Sequence, residues 1–360
     1  MRDESWMKRS PVSMSARNSG GGTAPMNDQL SLFGRDPEPK GSPRHRLPGA
    51  APVDESVRHV AAACPAGLRL GTASWDFPGW AGFVYDTPYD KALLAREGLR
   101  AYARHPLMRA VSLEHFDDAD MTPDTFRRVA DQVPDDFRFV VKAPAVVTMP
   151  GGTSVAAPVD NPRYLDGDFA RKRFVEPALA GLGEKCGPLL FHFPAQGRRV
   201  TRMARTFAVR LAAFLSALSP APQCVVELLD PELWIDETLA ALRDHGARPC
   251  LSLHPRAPSL DRQRAMLAGF PPGPLTVRWN LHPRMRDDEA RRAFEPFDRL
   301  RAEDPPNRRV LADLVREALA QGRAVTLIAD NRAEGCAPLS LLRLAEALRG
   351  DGGQDASSSG

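Results

Sequence analysis

From residue 68 onward, short apolar runs alternate with longer stretches in which leucine, alanine and phenylalanine recur at helical spacing. The runs at 68–75, 108–115, 137–142, 188–193, 223–228, 249–254, 275–281 and 324–330 are apolar on both faces, which predicts strands buried on both sides. Between and after them, the stretches 91–104, 123–133, 170–185, 203–218, 231–245, 259–268, 288–320 and 338–349 predict helices with one buried face. Several of these open on a proline or an acidic residue, as helix starts do. Eight β-then-α units of this kind predict an α/β fold, a TIM-barrel-like (β/α)8 closed parallel barrel. An open doubly wound sheet normally places a glycine-rich phosphate turn after its first strand, and Gly71-Thr72-Ala73-Ser74-Trp75 is not one. The stretch 147–167 is polar and glycine-containing, and predicts a surface loop after the third strand.

Composition sets the limits of that domain. Residues 1–66 are rich in Ser, Gly, Pro and charge, and 351–360 are similar, so both are expected to be disordered tails around a domain at 67–350. No run approaches the ~18 apolar residues that span a bilayer. The start, MRDESWMKRS, lacks the apolar core of a secretory signal. Five scattered cysteines without a CxxC pair argue against a zinc knuckle or a disulfide framework, and a reducing, cytoplasmic setting is expected. A net charge of +3 neither requires nor opposes nucleic acid.

In a parallel barrel the strands' carboxyl ends share one mouth, so charges at those ends are expected to meet. Glu227 lies inside Cys224-Val225-Val226-Glu227-Leu228 and needs a partner, either as a general acid or base or as the centre of an internal ion-pair network with Lys142 or Arg278. Lys142 and Arg278 are candidates to hold an anion, Arg278 as a bidentate fork. Asp330, Asn280 and Asn331 stand at strand exits, with Glu114 at the end of the second run. Trp75 and Trp80 are candidates for stacking a sugar or base, or for capping the core. His115, His192 and His254 are candidates for a divalent metal site, though no local ligand spacing supports one. No nucleophile elbow of the GxSxG kind is present.

The runs Leu70-Gly71-Thr72-Ala73-Ser74-Trp75, Trp80-Ala81-Gly82-Phe83-Val84-Tyr85, Phe139-Val140-Val141-Lys142-Ala143-Pro144, Gly187 through Pro194, Val226-Glu227-Leu228 and Asp330 through Gly335 together resemble the YecE-like family, domain of unknown function 72. The resemblance covers about residues 68–348 and implies a TIM-barrel-like fold with cleft residues Trp75, Trp80, Tyr85, Lys142, His192, Glu227, Arg278 and Asn331. The chain departs from the family pattern in four places: Ser112 where a glutamate is common, His192 for glutamine, Leu229 for arginine, and Asp330 for asparagine. Gln29-Leu30-Ser31-Leu32-Phe33 resembles the peptide with which bacterial DNA-maintenance proteins dock into the polymerase sliding clamp.

The leading expectation is a clamp-tethered, DNA- or nucleotide-associated barrel that acts on a phosphodiester, with Glu227 as acid or base, Lys142, Arg278 and Asp330 in the catalytic group, and a divalent metal conditionally implied. The alternatives are a non-catalytic nucleotide, sugar or peptide scaffold, and a small-carbohydrate hydrolase pairing Glu227 with Glu114 or Asp330.

Overall fold

Residues 47–114, 121–151, 161–218 and 223–349 are described by the structure, a computed structural model. Nine strand segments form one sheet: β1 (Leu68–Thr72), β2 (Met108–Leu113), β3 (Arg138–Lys142), β4 (Cys186–Phe193), β5 (Cys224–Leu228), β6 (Arg248–Pro249), β7 (Leu251–Leu253), β8 (Leu275–Trp279) and β9 (Val325–Ala329). Their order is β6-β5-β4-β3-β2-β1-β9-β8-β7, and each pairing between neighbours is parallel. The two outermost members, β6 and β7, are consecutive pieces of one stretch on either side of Cys250, whose N–H donates to the Val226 carbonyl at 2.8 Å. The result is a nearly closed, barrel-like sheet with helices around it. Each expected apolar run lies in the sheet. The sixth is divided beside Pro249, which has no N–H to give to a ladder.

Two apolar layers follow from the alternation of side chains along each strand. One set packs outward against the helices, as in the edge-to-face contacts of Phe191 with Phe174 and Phe214 at 5.6 and 5.1 Å. The other is a small separate cluster of Ala110, Val140, Leu190, Val225, Cys250 and Ile328, one from each of six strand positions, against Ala73. This inner plug fills the sheet's concave side. At Gly71 the approach of β1 to β2 is so close that a Cβ would sit 2.2 Å from the Ala110 carbonyl oxygen, so only glycine fits.

Two expectations need correction. The stretch 288–320 is two helices, Asp287–Phe294 and Pro305–Ala320, because Pro296, Pro305 and Pro306 deny the intervening residues the N–H groups a continuous helix requires. The folded region also begins before residue 67. Ala51 N–H bonds Val84 O at 3.0 Å, and helix Glu55–Ala62 buries Val57 and Val60 beside the final helix, Ala337–Arg349. A chain starting at residue 67 is therefore expected to lose about 3–6 kcal/mol of unfolding free energy in urea relative to one starting at residue 47, the loss of two buried valines.

His105 supplies a second stability expectation. It is 3 % exposed, packs on Phe83 with ring centroids 4.9 Å apart, and has no partner for its buried Nε2. Burial lowers its pKa from 6.5 to about 4. The unfolded chain thus binds this proton more tightly than the folded one. Stability contributed by the neutral ring is complete above pH 6.5 and falls as pH drops toward about 4, by on the order of 3 kcal/mol. His105→Phe should flatten that part of the wild-type melting curve against pH; an unchanged acid slope would remove His105 as its source.

Among the described residues no helix is long and apolar enough to cross a membrane.

Candidate active site at the barrel mouth

Two residues beyond each inner-plug residue, on the same face of its strand, the side chains turn polar. Ala110 gives way to Ser112, Val140 to Lys142, Leu190 to His192, Val225 to Glu227, Cys250 to Ser252 and Ile328 to Asp330. Arg278 and Asn280 take the corresponding places on and just after β8, and Glu114 follows β2. The carboxyl half of the barrel interior is thus a polar chamber resting on an apolar floor.

Its centre is Glu227, which is fully buried. One carboxylate oxygen, Oε2, accepts from Arg278 Nη1 at 2.6 Å and from His192 Nδ1 at 2.7 Å; the other, Oε1, accepts from Asn280 Nδ2 at 2.7 Å. Because a carboxylate only accepts, the His192 proton sits on Nδ1, and Nε2 carries the lone pair. His192 and Glu227 stand directly opposite each other in the β4–β5 register, so the ladder itself fixes their meeting. Arg278 reaches its second carboxylate through Nη2, 2.5 Å from Glu114 Oε1, while Lys142 Nζ lies 3.4 Å from Glu114 Oε2. Asn280 Nδ2 also reaches Ser252 Oγ at 3.0 Å, and Gln263 holds the Ser252 backbone from both sides, accepting from its N–H at 2.7 Å and donating to its carbonyl at 2.8 Å.

The electrostatics follow from this packing. Burial alone would raise the Glu227 pKa, but the charge of Arg278, then His192 and the hydrogen bonds, hold it well below 4.5. Burial would lower the Arg278 pKa, and Glu114 and Glu227 together raise it beyond its ordinary value. His192 is pulled below 6.5, first by burial and then by Lys142 and Arg278, against the opposing charge of Glu227. At neutral pH two carboxylates face two cations around a neutral imidazole. Openness to the mouth is graded: side-chain exposure is 23 % for Lys142 and 19 % for His192, but 7 % for Glu114 and 4 % for Arg278.

Several sequence expectations change on this geometry. Lys142, Glu227 and Arg278 do converge, with His192 and Asn280. Arg278, however, is no free fork for a substrate anion, since Glu114 and Glu227 occupy it. Glu227 has no face open to a substrate; its carboxylate oxygens are taken by Arg278, His192 and Asn280. A sugar bond flanked by Glu114 and Glu227 has no room, because the Arg278 guanidinium bridges them. Asp330 is committed to Arg332, with Nη2 at 2.7 Å and Nε at 2.8 Å, which holds its pKa low despite burial. Trp75, Trp80 and Tyr85 are core residues, none more than 2 % exposed: Trp75 Nε1 donates to Leu94 O at 2.9 Å, Tyr85 donates to the Trp75 carbonyl, and Trp80 lies over Tyr102. Stacking of a ligand on them has no open ring face. Asn331 is buried too; its Oδ1 receives the Ala337 N–H at 2.8 Å and fixes the start of the last helix.

Of the metal candidates, His115 lies outside the described residues, His192 commits Nδ1 to Glu227, and His254 Nδ1 accepts from Arg256 N–H at 3.1 Å. Among the described residues no three histidine, cysteine or carboxylate side chains gather as a metal site. Gln29, Leu30, Ser31, Leu32 and Phe33 also lie outside the described residues. Ser252 and the positioning role of Glu114 escaped the sequence reading; the signal for both is their two-residue spacing along strands whose inward face is known.

The family model described as "Protein of unknown function DUF72" matches residues 69–359. Among solved structures, a DUF72 family protein from Thermotoga maritima is similar at 20% identity with a TM-score of 0.51, covering 78% of this chain and 98% of that one. A DUF72 family protein from Enterococcus faecalis is similar at 14% identity with a TM-score of 0.50, covering 78% and 95%. No curated protein matches the chain.

Proposed function

Because the chain belongs to the DUF72 family, whose solved members share its fold, we propose that the barrel mouth is an acid–base site for a phosphodiester in a nucleotide or nucleic-acid strand. The observation that carries the reading is the 2.7 Å bond from His192 Nδ1 to the wholly buried Glu227, which leaves Nε2 as the basic atom of a side chain that is 19 % exposed. The reading takes the sheet as a closed (β/α)8 barrel, with residues 248–253 as one strand; the Cys250 N–H to Val226 bond supports that closure.

In the proposed step His192 Nε2 accepts a proton from the attacking water as its oxygen bonds phosphorus, and the bond from phosphorus to the leaving oxygen breaks. The proton on Nε2 then passes to that leaving oxygen, so the products are a phosphate monoester and an alcohol. Glu227 orients the ring and stabilises the imidazolium, and Lys142, the more exposed cation, attracts the phosphate charge. The described side chains do not fit a metal site, and no step passes through one.

A polyanionic substrate is supported by the rim. Among the described residues Arg198 and Arg202 after β4, and Arg284 after β8, are exposed and form no ion pair, and Arg256 after β7 pairs only with Asp230, at 3.5 Å. We also assign the Gln29–Phe33 segment as a tether to the sliding clamp; equal clamp affinity of the wild type and a Leu32→Ala, Phe33→Ala double variant would end that assignment.

The direct test is a panel of nucleotides, cyclic nucleotides, bis(p-nitrophenyl) phosphate and short oligonucleotides, assayed for turnover and for binding at low and high salt. Turnover of at least one diester is expected, with a loss of roughly 10²- to 10⁴-fold in His192→Ala, and oligonucleotide affinity should fall steeply with salt. Equal turnover by His192→Ala, or neither binding nor turnover across the panel, would refute the proposal.

A further inference from the structure

At the opposite end of the barrel, the amino ends of β6 and β8 and the last turns of helices Leu260–Leu267 and Pro305–Ala320 surround a cavity of about 460 Å³. That volume lies within the range of small-molecule sites, roughly 300–1,000 Å³. Leu267, Phe270, Leu275 and Leu314 give it apolar walls. Into it come two guanidinium groups anchored by a single turn. Arg248 Nη1 donates to Pro271 O at 2.8 Å, and Arg323 Nε donates to Gly273 O at 2.8 Å.

The carbonyls orient these cations without neutralising them. Among the described residues neither Arg248 nor Arg323 has a carboxylate within 4.0 Å, whereas the third arginine of the cavity, Arg264, is paired with Glu317. Burial lowers the pKa of both groups; the charge of Arg323 lowers that of Arg248 further, and the charge of Glu317 opposes the lowering at Arg323. Three arginines line the cavity with one carboxylate, Glu317, which leaves it short of an anion beside its apolar walls. The Phe270 ring, 5.8 Å from the Arg248 guanidinium carbon, offers partial compensation through its face.

We infer that this cavity binds a small organic anion, with a phosphate or carboxylate head between Arg248 and Arg323 and an aromatic or aliphatic body against Phe270, Leu275 and Leu314. An inorganic anion would satisfy the arginines but leave the walls wet, and a neutral apolar molecule would do the reverse. The site is separate from the mouth and independent of the chemistry proposed there.

Calorimetric titration of the full chain with phenyl phosphate, benzoate, inorganic phosphate and benzyl alcohol tests the assignment. Saturable binding of phenyl phosphate or benzoate is expected, with inorganic phosphate and benzyl alcohol each at least ~10-fold weaker. Arg323→Met should weaken the aromatic anion by ~10-fold or more, the loss of a charge-assisted contact. Gln321→Glu places a carboxylate on the cavity wall at an exposed position and should have a similar effect without disturbing packing, so the test survives if the arginine variant fails to fold. Absence of saturable binding by either aromatic anion would overturn the inference. So would binding that Lys142→Met abolishes and Gln321→Glu leaves intact, because the ligand would then be at the mouth.

Discussion

Replacing Arg278 with methionine is expected to lower unfolding free energy by about 3–5 kcal/mol, seen as a drop of roughly 6–15 °C in melting temperature at neutral pH. The guanidinium joins two carboxylates that are almost wholly enclosed, Glu114 at 2.5 Å and Glu227 at 2.6 Å. Methionine keeps much of the volume and removes the charge, leaving Lys142 and a neutral His192 as the nearest compensation. The penalty has a definite dependence on pH. In the wild type the Glu227 pKa lies well below 4.5, so its contribution is present above about 4.5 and is lost as pH falls through the depressed folded value. In the variant, burial acts with far less opposition and raises the folded pKa above the unfolded one, so the penalty is full at high pH and lifts as pH falls through that raised value. The two melting curves should therefore converge on acidification from pH 7 to pH 4. Parallel curves, or a variant as stable as the wild type at pH 7, would show that the three groups are not coupled as described.

The same cluster shows what the sequence discloses and what it withholds. Glu227, Lys142 and Arg278 are conspicuous because each is a charge inside an apolar run, and a charge there must find a partner. The partners themselves are set by relations between strands. Glu114 and Arg278 are 164 positions apart, and only the order of the sheet and the stagger of its strands bring them within 2.5 Å. Each charge read alone leaves Glu227 open between a free base and an internal ion pair, and leaves Arg278 as a candidate anion fork; in the chamber Glu227 and Arg278 satisfy one another, the ion-pair alternative, while Lys142 and His192 stand at the more exposed side. Trp75 and Trp80 stay open between two readings for a different reason: a tryptophan beside a strand end has the same local pattern whether it caps the core or meets a ligand, and burial decides for the core. The strand runs were legible because alternation between strand and helix repeats over the whole domain. Helix Glu55–Ala62 was not, since only Val57 and Val60 are buried in it and alanine and proline dominate its neighbours.

The acid limb of activity provides the sharpest test of how the chamber works. If neutral His192 is the proton acceptor, the rate on a diester substrate falls as pH drops through the His192 pKa, which burial, Lys142 and Arg278 place below 6.5. Each neighbour then has a signed effect. Lys142→Met removes a cation that lowers the pKa, so the limb should move to higher pH, toward the ordinary histidine value. Glu227→Gln removes the neighbour whose charge and hydrogen bond raise the ring's pKa, so the limb should move to lower pH, while loss of the carboxylate that orients and stabilises the ring should lower the plateau rate by roughly 10²-fold or more. NMR titration of the His192 ring reports the same pKa without substrate. Opposite displacements in the two variants, matched between the ring signal and the rate, are expected of a proton acceptor. An acid limb that stays fixed while the ring titration moves would place the essential proton transfer on another group and reduce His192 to a packing residue of the network.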